Sequence, residues 1–279
     1  MASVRIVTDT TAYLSKEEIE EYNIEIVPLY VNFPDEVIVD GSIPNAVFFD
    51  KVDKAAQLPF TSQPSPGDFV EVYEKILSAG DEIISIHISL GLSGTTESAT
   101  AAKKVLDAEG ISVIDSYHTT AGLAILVITA ARAAKEGKSR IEIAEMLEEM
   151  KKRTQTFFIP ATLDYLKKGG RIGGAQAFLG TILQIKPILY LNNGKIDAFT
   201  KVRTMKKALE RIVEELPEKA EDVMLMAVMH AEAEETAAAL KGLIQQRLPG
   251  IEDVMIYPLS PVIGTHTGPG VVGFSFIPK

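Results

Sequence analysis

The sequence contains no cysteine and no tryptophan, and only 7% of its residues are aromatic. Without cysteine the chain can form neither disulfides nor thiolate metal sites, and it has no cysteine nucleophile. This absence is typical of a reducing compartment, so we expect a cytoplasmic protein. Basic residues are also few, since 28 Lys and Arg stand against 38 Asp and Glu and the formal net charge is -10. We therefore do not expect nucleic acid as a partner, because phosphate binding needs an excess of positive charge.

Long apolar runs are missing as well. The longest, residues 121–131, is flanked by two threonines and an arginine. A helix that spans a bilayer needs about 20 apolar residues, so we interpret this run as a buried core helix and expect no transmembrane segment. The N-terminal residues lack the apolar stretch and the small-residue cleavage site of a secretory signal. They have instead the pattern of a strand followed by a turn.

The remaining composition is that of an ordinary globular protein, with 279 residues of which 46% are hydrophobic and 24% charged. At roughly 100 to 200 residues per domain, this length suggests two domains. In the first half, short runs rich in Val and Ile alternate with helical periodicity, which predicts a parallel sheet covered by helices. The predicted strands of this half are residues 4–7, 24–33, 82–88 and 111–114.

The second half has a different pattern. Two strand-like runs, residues 188–191 and 195–200, flank Asn192-Asn193-Gly194, which is a strong signal for a tight antiparallel turn. Further helix and strand pairs follow, so we predict a mixed sheet. The fold class is thus α/β, with a parallel-sheet domain over residues 1–156 and a mixed-sheet α/β domain over residues 157–279. No flexible linker separates the two, and we expect a ligand cleft between them.

Three motifs that suggest other chemistry lack the context they require. The run from Gly268 to Gly273 has the spacing of a dinucleotide-binding loop, but a closing strand and not a helix is expected after it. Gly91 begins a run similar to a nucleophile elbow, in which Thr95 replaces the last glycine. Acidic residues near His230 are better explained as the first turn of a helix than as metal ligands, because their spacing is unspecific. We expect neither a cofactor nor a metal ion.

Small polar residues follow several predicted strands, at the edge where open parallel sheets bind ligands. Together with two further polar segments they supply the candidate ligand-binding residues Thr61, Ser62, Ser93, Gly94, Thr95, His266 and Thr267. Ser93 and Thr95 stand at the start of a predicted helix, where free backbone N–H groups favour a small anion such as a carboxylate. The alternative for Ser93 and Thr61 is that each simply caps a helix.

Six segments spread from Thr8 to Gly273 carry a resemblance to a known family. In order they are TDTTAYLS, TSQPSPGDF, GLSGTTESA, TLDYLKKGGRI, KPIL and HTGPGVVG. Over nearly its whole length the chain resembles the DegV family of bacterial fatty-acid-binding proteins. Departures are small: Gly173 follows Arg171-Ile172 where the family often has serine.

This resemblance implies a Rossmann-like first domain, a mixed-sheet second domain and a long-chain fatty acid bound between them. It implies that Thr61 and Ser93 hydrogen-bond the carboxylate, with the Gly94 N–H alongside and His266 close to the head group. It also implies an acyl carrier for a fatty acid kinase, which phosphorylates the bound acid to an acyl phosphate. Arg203 matches an arginine implicated in that step or in docking. The chain itself is then a lipid-binding protein and not the catalyst.

An apolar tail is expected to dominate the affinity for such a ligand. At about 0.8 kcal/mol per buried methylene, a sixteen-carbon chain contributes around 11 kcal/mol before the cost of ordering is subtracted. The residues predicted to line the tail are Phe178, Leu179, Ile182, Leu183, Ile185 and Ile188. The alternative is that these residues are ordinary core.

A local basic cluster that includes Arg171 and Arg203 stands out against the acidic background. It is predicted to face the kinase or the transferred phosphate, with a solvated helix face as the alternative. Two other functions stay open at this point. His266 beside Ser93 and Asp115 could make the protein an enzyme of acyl or phosphoryl transfer. The ligand could also be another amphiphile, such as a retinoid-like or sterol-like lipid.

Overall fold

The computed structural model describes residues 3–180, 185–251 and 254–279. Its strands, in chain order, are β1 (Val4–Asp9), β2 (Glu25–Val27), β3 (Tyr30–Asn32), β4 (Val37–Val39), β5 (Phe60–Ser62), β6 (Glu82–His87), β7 (Ile111–Asp115), β8 (Gln155–Ile159), β9 (Lys186–Asn192), β10 (Lys195–Val202), β11 (Val223–Ala231), β12 (Met255–Pro258) and β13 (Val271–Pro278). Its α-helices are α1 (Lys16–Tyr22), α2 (Asn45–Lys54), α3 (Pro66–Ser78), α4 (Thr95–Leu106), α5 (Thr120–Lys135), α6 (Arg140–Arg153), α7 (Asp164–Lys168), α8 (Met205–Val213), α9 (Glu234–Arg247) and α10 (Pro261–Thr267).

The first half contains the predicted parallel sheet. Its strand order is β2-β1-β6-β7, and all neighbouring strands run parallel. Ile6 and Val7 in β1 and Ile83 and Ile84 in β6 are all buried, although adjacent residues point to opposite faces. A parallel sheet is covered on both faces, which explains why its strands read as continuous Val and Ile runs in the sequence.

The run of residues 24–33, predicted as one strand, forms two strands in different sheets. β2 ends at Val27 and pairs with β1, whereas β3 begins at Tyr30 and pairs with β4 and β5 in a small antiparallel sheet. Pro28 stands between them, and because proline has no N–H it cannot continue a ladder. The small sheet, which the sequence did not predict, places Thr61 opposite Val31.

The second half contains a mixed six-stranded sheet in the order β10-β9-β8-β13-β11-β12. β11 and β12 run parallel, and the other neighbours run antiparallel. The predicted hairpin joins β9 to β10, and Asn193 and Gly194 in its turn have φ of 46° and 81°. The glycine-rich run after α10 leads into β13, so a strand and not a helix follows it, as predicted.

Helix α5 connects the two large sheets. It packs against β1 of the parallel sheet and against β11 and β13 of the mixed sheet. Nearly all of its residues from Thr120 to Ala133 are buried, which explains the long apolar run of the sequence. The central hydrophobic cluster therefore includes residues of both halves, such as Ile6 and Phe158.

The two halves divide close to the predicted boundary. β7 of the parallel sheet ends at Asp115, and β8 of the mixed sheet begins at Gln155. Because α5 belongs to the packing of both, a domain division after residue 156 stays a prediction. Within the described ranges, none of the helices is both long enough and apolar enough to cross a bilayer.

Candidate functional site

A cavity of about 340 Å³ lies between the two halves of the molecule. Its volume is at the lower end of the roughly 300 to 1,000 Å³ found for small-molecule pockets. Polar residues from β5, α10 and the segment after β6 form one part of its wall, and the start of α5 forms another. The apolar part of the wall includes Phe158, Leu191, Ile196, Met229, Val262 and Ile263.

Thr61 and His266 form the centre of the polar wall. Thr61 lies in β5 and His266 in the last turn of α10, and Thr61 Oγ1 is 2.8 Å from His266 Nε2. α10 is held in place at its start, where Ser260 caps the helix and Asp40 Oδ1 accepts the Val262 N–H at 2.9 Å. The pair therefore joins the small antiparallel sheet to the helix of the second half.

His266 is neutral at physiological pH. Burial, with a further contribution from the charge of Arg171, lowers its pKa to about 4. Its Nδ1 is buried without a hydrogen-bond partner. Gly169, at the end of α7, lies so close that a Cβ there would clash with Nδ1. The His266 ring can therefore occupy this position only because residue 169 is a glycine.

Ser93 and Gly94 belong to the segment between β6 and α4. Ser93 lines the cavity, and its Oγ is 2.9 Å from Thr95 Oγ1. The residue that caps α4 is Gly94, which provides no side-chain cap. The alternative that Thr61 and Ser93 are helix caps is wrong, because Thr61 lies in a strand and the cap of α4 is Gly94 and not Ser93. A Cβ on Gly94 would clash with Gln63, so a glycine is needed for this close approach.

The other candidates of the polar set take different places. Ser62 and Thr267 line the cavity, and their hydroxyls already have partners in Asn32 Nδ2 at 3.0 Å and the Ile263 carbonyl at 3.1 Å. Thr95 is fully buried at the start of α4 and is not part of the wall. The structure thus brings Thr61, Ser62, Ser93, His266 and Thr267 to one cavity.

Of the two predicted partner contacts, only Arg171 lies at the cavity. Its Nε donates to the Leu92 carbonyl at 3.2 Å and its Nη1 to the Gly169 carbonyl at 2.8 Å. These bonds tie the guanidinium to the segment before Ser93 and to the end of α7. Arg203 is exposed just after β10 and does not line the cavity.

The residues predicted for the tail do not line the cavity where the structure describes them. Phe178, Leu179, Ile185 and Ile188 are absent from its wall, and Ile182 and Leu183 lie outside the described residues. Ile188 packs in a second hydrophobic cluster, between the mixed sheet and α8 and α9. Because side chains alternate along a strand, the neighbours of Ile188 in β9, Leu189 and Leu191, face the other way.

The same alternation selects the apolar wall that the sequence did not reveal. In β8, Phe157 and Ile159 pack in the second cluster whereas Phe158 faces the cavity. Thr119 and Thr120 are not among the candidates chosen from the sequence, although they follow β7 at the same sheet edge as Ser93. Their position after a strand of the parallel sheet is a sequence signal for this edge.

The residues of the alternative enzyme site are not joined in a relay. His266 bonds Thr61, Ser93 bonds Thr95, and Asp115 Oδ1 accepts the N–H groups of Leu90 and Tyr117. A chain of hydrogen bonds of the triad type does exist elsewhere. It runs from Asp9 through His87 and Ser85 to Tyr73, and all four side chains are completely buried inside the first half.

The histidines outside the cavity wall have structural partners. His118 is buried between Thr156 Oγ1 at 2.9 Å and the Lys151 carbonyl at 3.2 Å, and burial lowers its pKa to about 4. His230 Nδ1 accepts the Ala233 N–H at 3.4 Å, ahead of α9. Within the part of the chain that is described, no group of three or more His, Asp and Glu side chains is arranged to hold a metal ion.

Comparison with known proteins identifies the family. The family model described as uncharacterised proteins of the DegV family matches residues 3–279. Protein DegV of Bacillus subtilis is 40% identical over 275 residues, which cover 97% of this chain and 98% of that protein. A DegV family protein from Thermus thermophilus, solved for its fatty acid binding, has 35% identity and a TM-score of 0.93 over 99% of this chain and 100% of its own.

A third relative extends the comparison to a more distant sequence. The stearic acid-binding protein of Eubacterium ventriosum is 26% identical and has a TM-score of 0.89, with 100% of this chain and 99% of that chain covered. The α/β fold with one parallel and one mixed sheet is thus shared along the whole chain. On the family model and on these identities, the chain belongs to the DegV family.

Proposed function

We propose that this protein binds a long-chain fatty acid in the cavity between its halves. The observation that carries the proposal is a cavity that combines an apolar wall with the paired Thr61 and His266 and with the hydroxyl group of Ser93. The relatives from Thermus thermophilus and Eubacterium ventriosum are described as binding fatty acid and stearic acid, which supports the same ligand class here.

The polar residues suit a carboxylate head group. If His266 Nε2–H donates to Thr61 Oγ1, the Thr61 hydroxyl is left to donate to a carboxylate oxygen. Ser93 Oγ supplies a second hydroxyl. The third donor that we propose is the N–H of Gly94, which follows Ser93 at the start of α4 and is not itself part of the cavity wall. Burying a carboxylate without partners costs several kcal/mol, so these donors chiefly prevent a loss and fix the orientation. Arg171 adds a positive charge at the same wall.

The apolar wall suits the tail. Phe158, Met229 and Ile263 are each at most 8% exposed and line the cavity from different elements. At about 0.8 kcal/mol per buried methylene, a long tail supplies most of the binding free energy. Its size and its conformation must match a cavity of about 340 Å³, because close-packed interiors tolerate little excess volume.

We further propose that the bound acid is presented to a fatty acid kinase. In that step a carboxylate oxygen attacks the terminal phosphorus of ATP, the bond to the bridging oxygen breaks, and acyl phosphate and ADP result. The catalytic groups belong to the kinase, and this chain holds and orients the acid. The exposed Arg203, close to the exposed Lys206 and Lys207 at the start of α8, offers positive charge for docking.

Lipid extraction tests the binding proposal. Purified protein is denatured, and the organic extract is analysed by mass spectrometry; one free fatty acid per chain is expected. After delipidation, Thr61→Val and Ser93→Ala are each expected to weaken fatty acid binding by about 10- to 100-fold, as loss of a hydrogen bond to a charged group does. Thr129→Val, in α5 away from the cavity wall, is the matched control. An extract without fatty acid, together with no binding by the delipidated protein, contradicts the proposal.

The kinase step has its own test. Arg203→Glu is expected to reduce kinase-dependent acyl phosphate formation at least about tenfold, because a docking charge is reversed, while fatty acid retention stays unchanged. Arg153→Glu makes the same charge reversal at another exposed arginine, at the end of α6, and is expected to be without effect. Equal rates for the two variants contradict a role of Arg203.

A further inference from the structure

A second polar region of the cavity wall is separate from the residues proposed above for the carboxylate. It lies at the start of α5, where Thr119 and Thr120 both line the cavity. Oγ1 of each residue is buried and has no hydrogen-bond partner, and Thr120 as a whole is 1% exposed. Buried hydroxyls are normally paired, so two adjacent unpaired ones facing the same cavity need an explanation.

The other threonines of this wall are paired. Thr61 bonds His266, Thr156 bonds His118 and Ser275, and Thr267 bonds the Ile263 carbonyl. Thr129, further along α5, donates back to the Ile125 carbonyl at 2.7 Å. Among the threonines that line the cavity in the described ranges, the two with unpaired hydroxyls are thus Thr119 and Thr120.

The backbone also departs from what threonine prefers. Thr119 is the residue that caps α5, but its side chain makes no cap hydrogen bond. Thr120 has a φ of 47°, in the left-handed region that β-branched residues avoid. The N–H groups of Gly122 and Leu123 already donate to the Thr119 carbonyl. The N–H groups of Thr120 and Ala121, which come before them, have no carbonyl in a preceding helical turn, and the helix dipole favours an electronegative atom beside them.

Thr120 lies in the most buried part of the wall. Thr120, Phe158 and Val271 are all at most 5% exposed, whereas Thr61, Ser93 and His266 are half-buried, as is Thr119 apart from its buried Oγ1. α5 packs against the strands that carry Met229 and Val271. If the head group binds at the half-buried residues, the start of α5 faces the tail.

We propose that Thr119 and Thr120 form a subsite for an oxygen atom carried on the acyl chain, so that the preferred ligand is a hydroxy or oxo fatty acid. This inference rests on the proposed fatty acid binding and specifies its substrate class. A chain hydroxyl accepts a hydrogen bond from the first turn of α5 or from one threonine and donates to the other. A plain methylene chain leaves both threonine hydroxyls unpaired, and such sites discriminate strongly against a ligand that lacks the polar group.

A ligand panel tests the subsite on the delipidated full chain. The probes are stearic acid and hydroxystearic acids with the hydroxyl at successive mid-chain carbons, each measured by displacement of a fluorescent fatty acid. At least one hydroxystearic acid is expected to bind about tenfold more tightly than stearic acid, as one additional good hydrogen bond provides. Thr120→Val is expected to abolish this preference and Thr120→Ser to retain it.

Thr129→Val, on the same helix and outside the cavity wall, is the control and is expected to keep the preference. If the Thr120 variants do not fold, Thr119→Val tests the same loss. Equal or tighter binding of stearic acid compared with every hydroxystearic acid overturns the subsite and leaves fatty acid binding intact. Failure of all members of the panel to bind overturns the proposed function itself.

Discussion

At the scale of single residues, the buried carboxyl of Asp40 connects packing to pH. Asp40 is 3% exposed, and its Oδ1 holds the first turn of α10, the helix that carries His266. Burial raises the pKa of this carboxyl to about 6. Because the folded-state pKa lies above the unfolded one, the protonated carboxyl favours folding, and this contribution is lost as the pH rises through about 6.

Asp40→Asn is therefore expected to change how stability depends on pH. As the pH rises from about 4 to about 6, ionisation of Asp40 is expected to lower the free energy of unfolding of the wild type by about 2 to 3 kcal/mol. The variant has no carboxyl at this position and lacks this decrease. His118 and His266, whose pKa values burial lowers to about 4, act in the opposite direction in both proteins. Urea unfolding across this range measures the difference between the two proteins. Parallel pH profiles contradict the role of Asp40.

A second prediction concerns Gly169 beside His266. Gly169→Ala is expected to displace the His266 ring, because the new Cβ clashes with Nδ1, and to weaken fatty acid binding by about tenfold. In Gly242→Ala the added Cβ meets open space within α9, so fatty acid affinity stays unchanged and the helix is stabilised by about 0.5 to 1 kcal/mol. Calorimetric titration with a fatty acid compares them. Unchanged affinity in Gly169→Ala excludes this positioning role.

At the scale of elements, the hairpin between β9 and β10 fixes one half of the molecule against the other. Ser89 Oγ, in the segment after β6, donates to the Gly194 carbonyl at 2.7 Å. A Cβ on Gly194 would clash with the same Ser89 Oγ, and Gly194 has a φ of 81°. The turn therefore requires glycine both for its own conformation and for its contact with the first half.

Gly194→Ala is expected to destabilise the protein by more than the backbone strain of an alanine at positive φ, because the added Cβ also clashes with Ser89 Oγ. Gly137→Ala is the matched control, because Gly137 has a φ of 85° and nothing lies within 4 Å of an added Cβ. The control is expected to lose about 1 kcal/mol or more from left-handed strain, and Gly194→Ala a further 1 to 3 kcal/mol or so from overpacking. Chemical denaturation measures both. Equal losses show that the contact with Ser89 contributes nothing.

At the scale of the whole molecule, the cavity is built from both halves around α5. Its wall includes residues from the parallel-sheet half, such as those of the segment after β6, and from strands of the mixed sheet, so a fatty acid bound as proposed would contact both. A ligand that binds only the folded chain stabilises it, by about 2.7 kcal/mol when its free concentration is a hundred times Kd.

Addition of stearic acid to delipidated protein is thus expected to raise Tm with the ligand concentration. The shift is expected to be smaller in Thr61→Val, because at any one concentration a weaker ligand stabilises less. Thermal unfolding followed by circular dichroism provides the measurement. A Tm that is independent of stearic acid, in protein shown to be free of lipid, contradicts binding of this acid to the folded state.

Patterns along the chain predict the α/β order of elements, the parallel and mixed sheets and the hairpin at Asn193-Gly194, and six ordered segments indicate the family. The sequence also selects Thr61, Ser93 and His266, which the structure brings to one cavity. These features depend on local patterns: runs of Val and Ile, turn residues, and polar residues directly after strands. The break at Pro28 is local too: the apolar run of residues 24–33 predicts one strand, and the proline within it separates β2 from β3.

The choice of apolar residues that line the cavity depends on three-dimensional packing. Leu191 faces the cavity and Ile188 does not, although both belong to β9. The face of a strand that lines the cavity is set by its register with distant strands and by the position of α5. A short apolar run in the sequence indicates neither. The unpaired hydroxyls of Thr119 and Thr120 were hidden for the same reason, because pairing is a property of the neighbours that folding brings together.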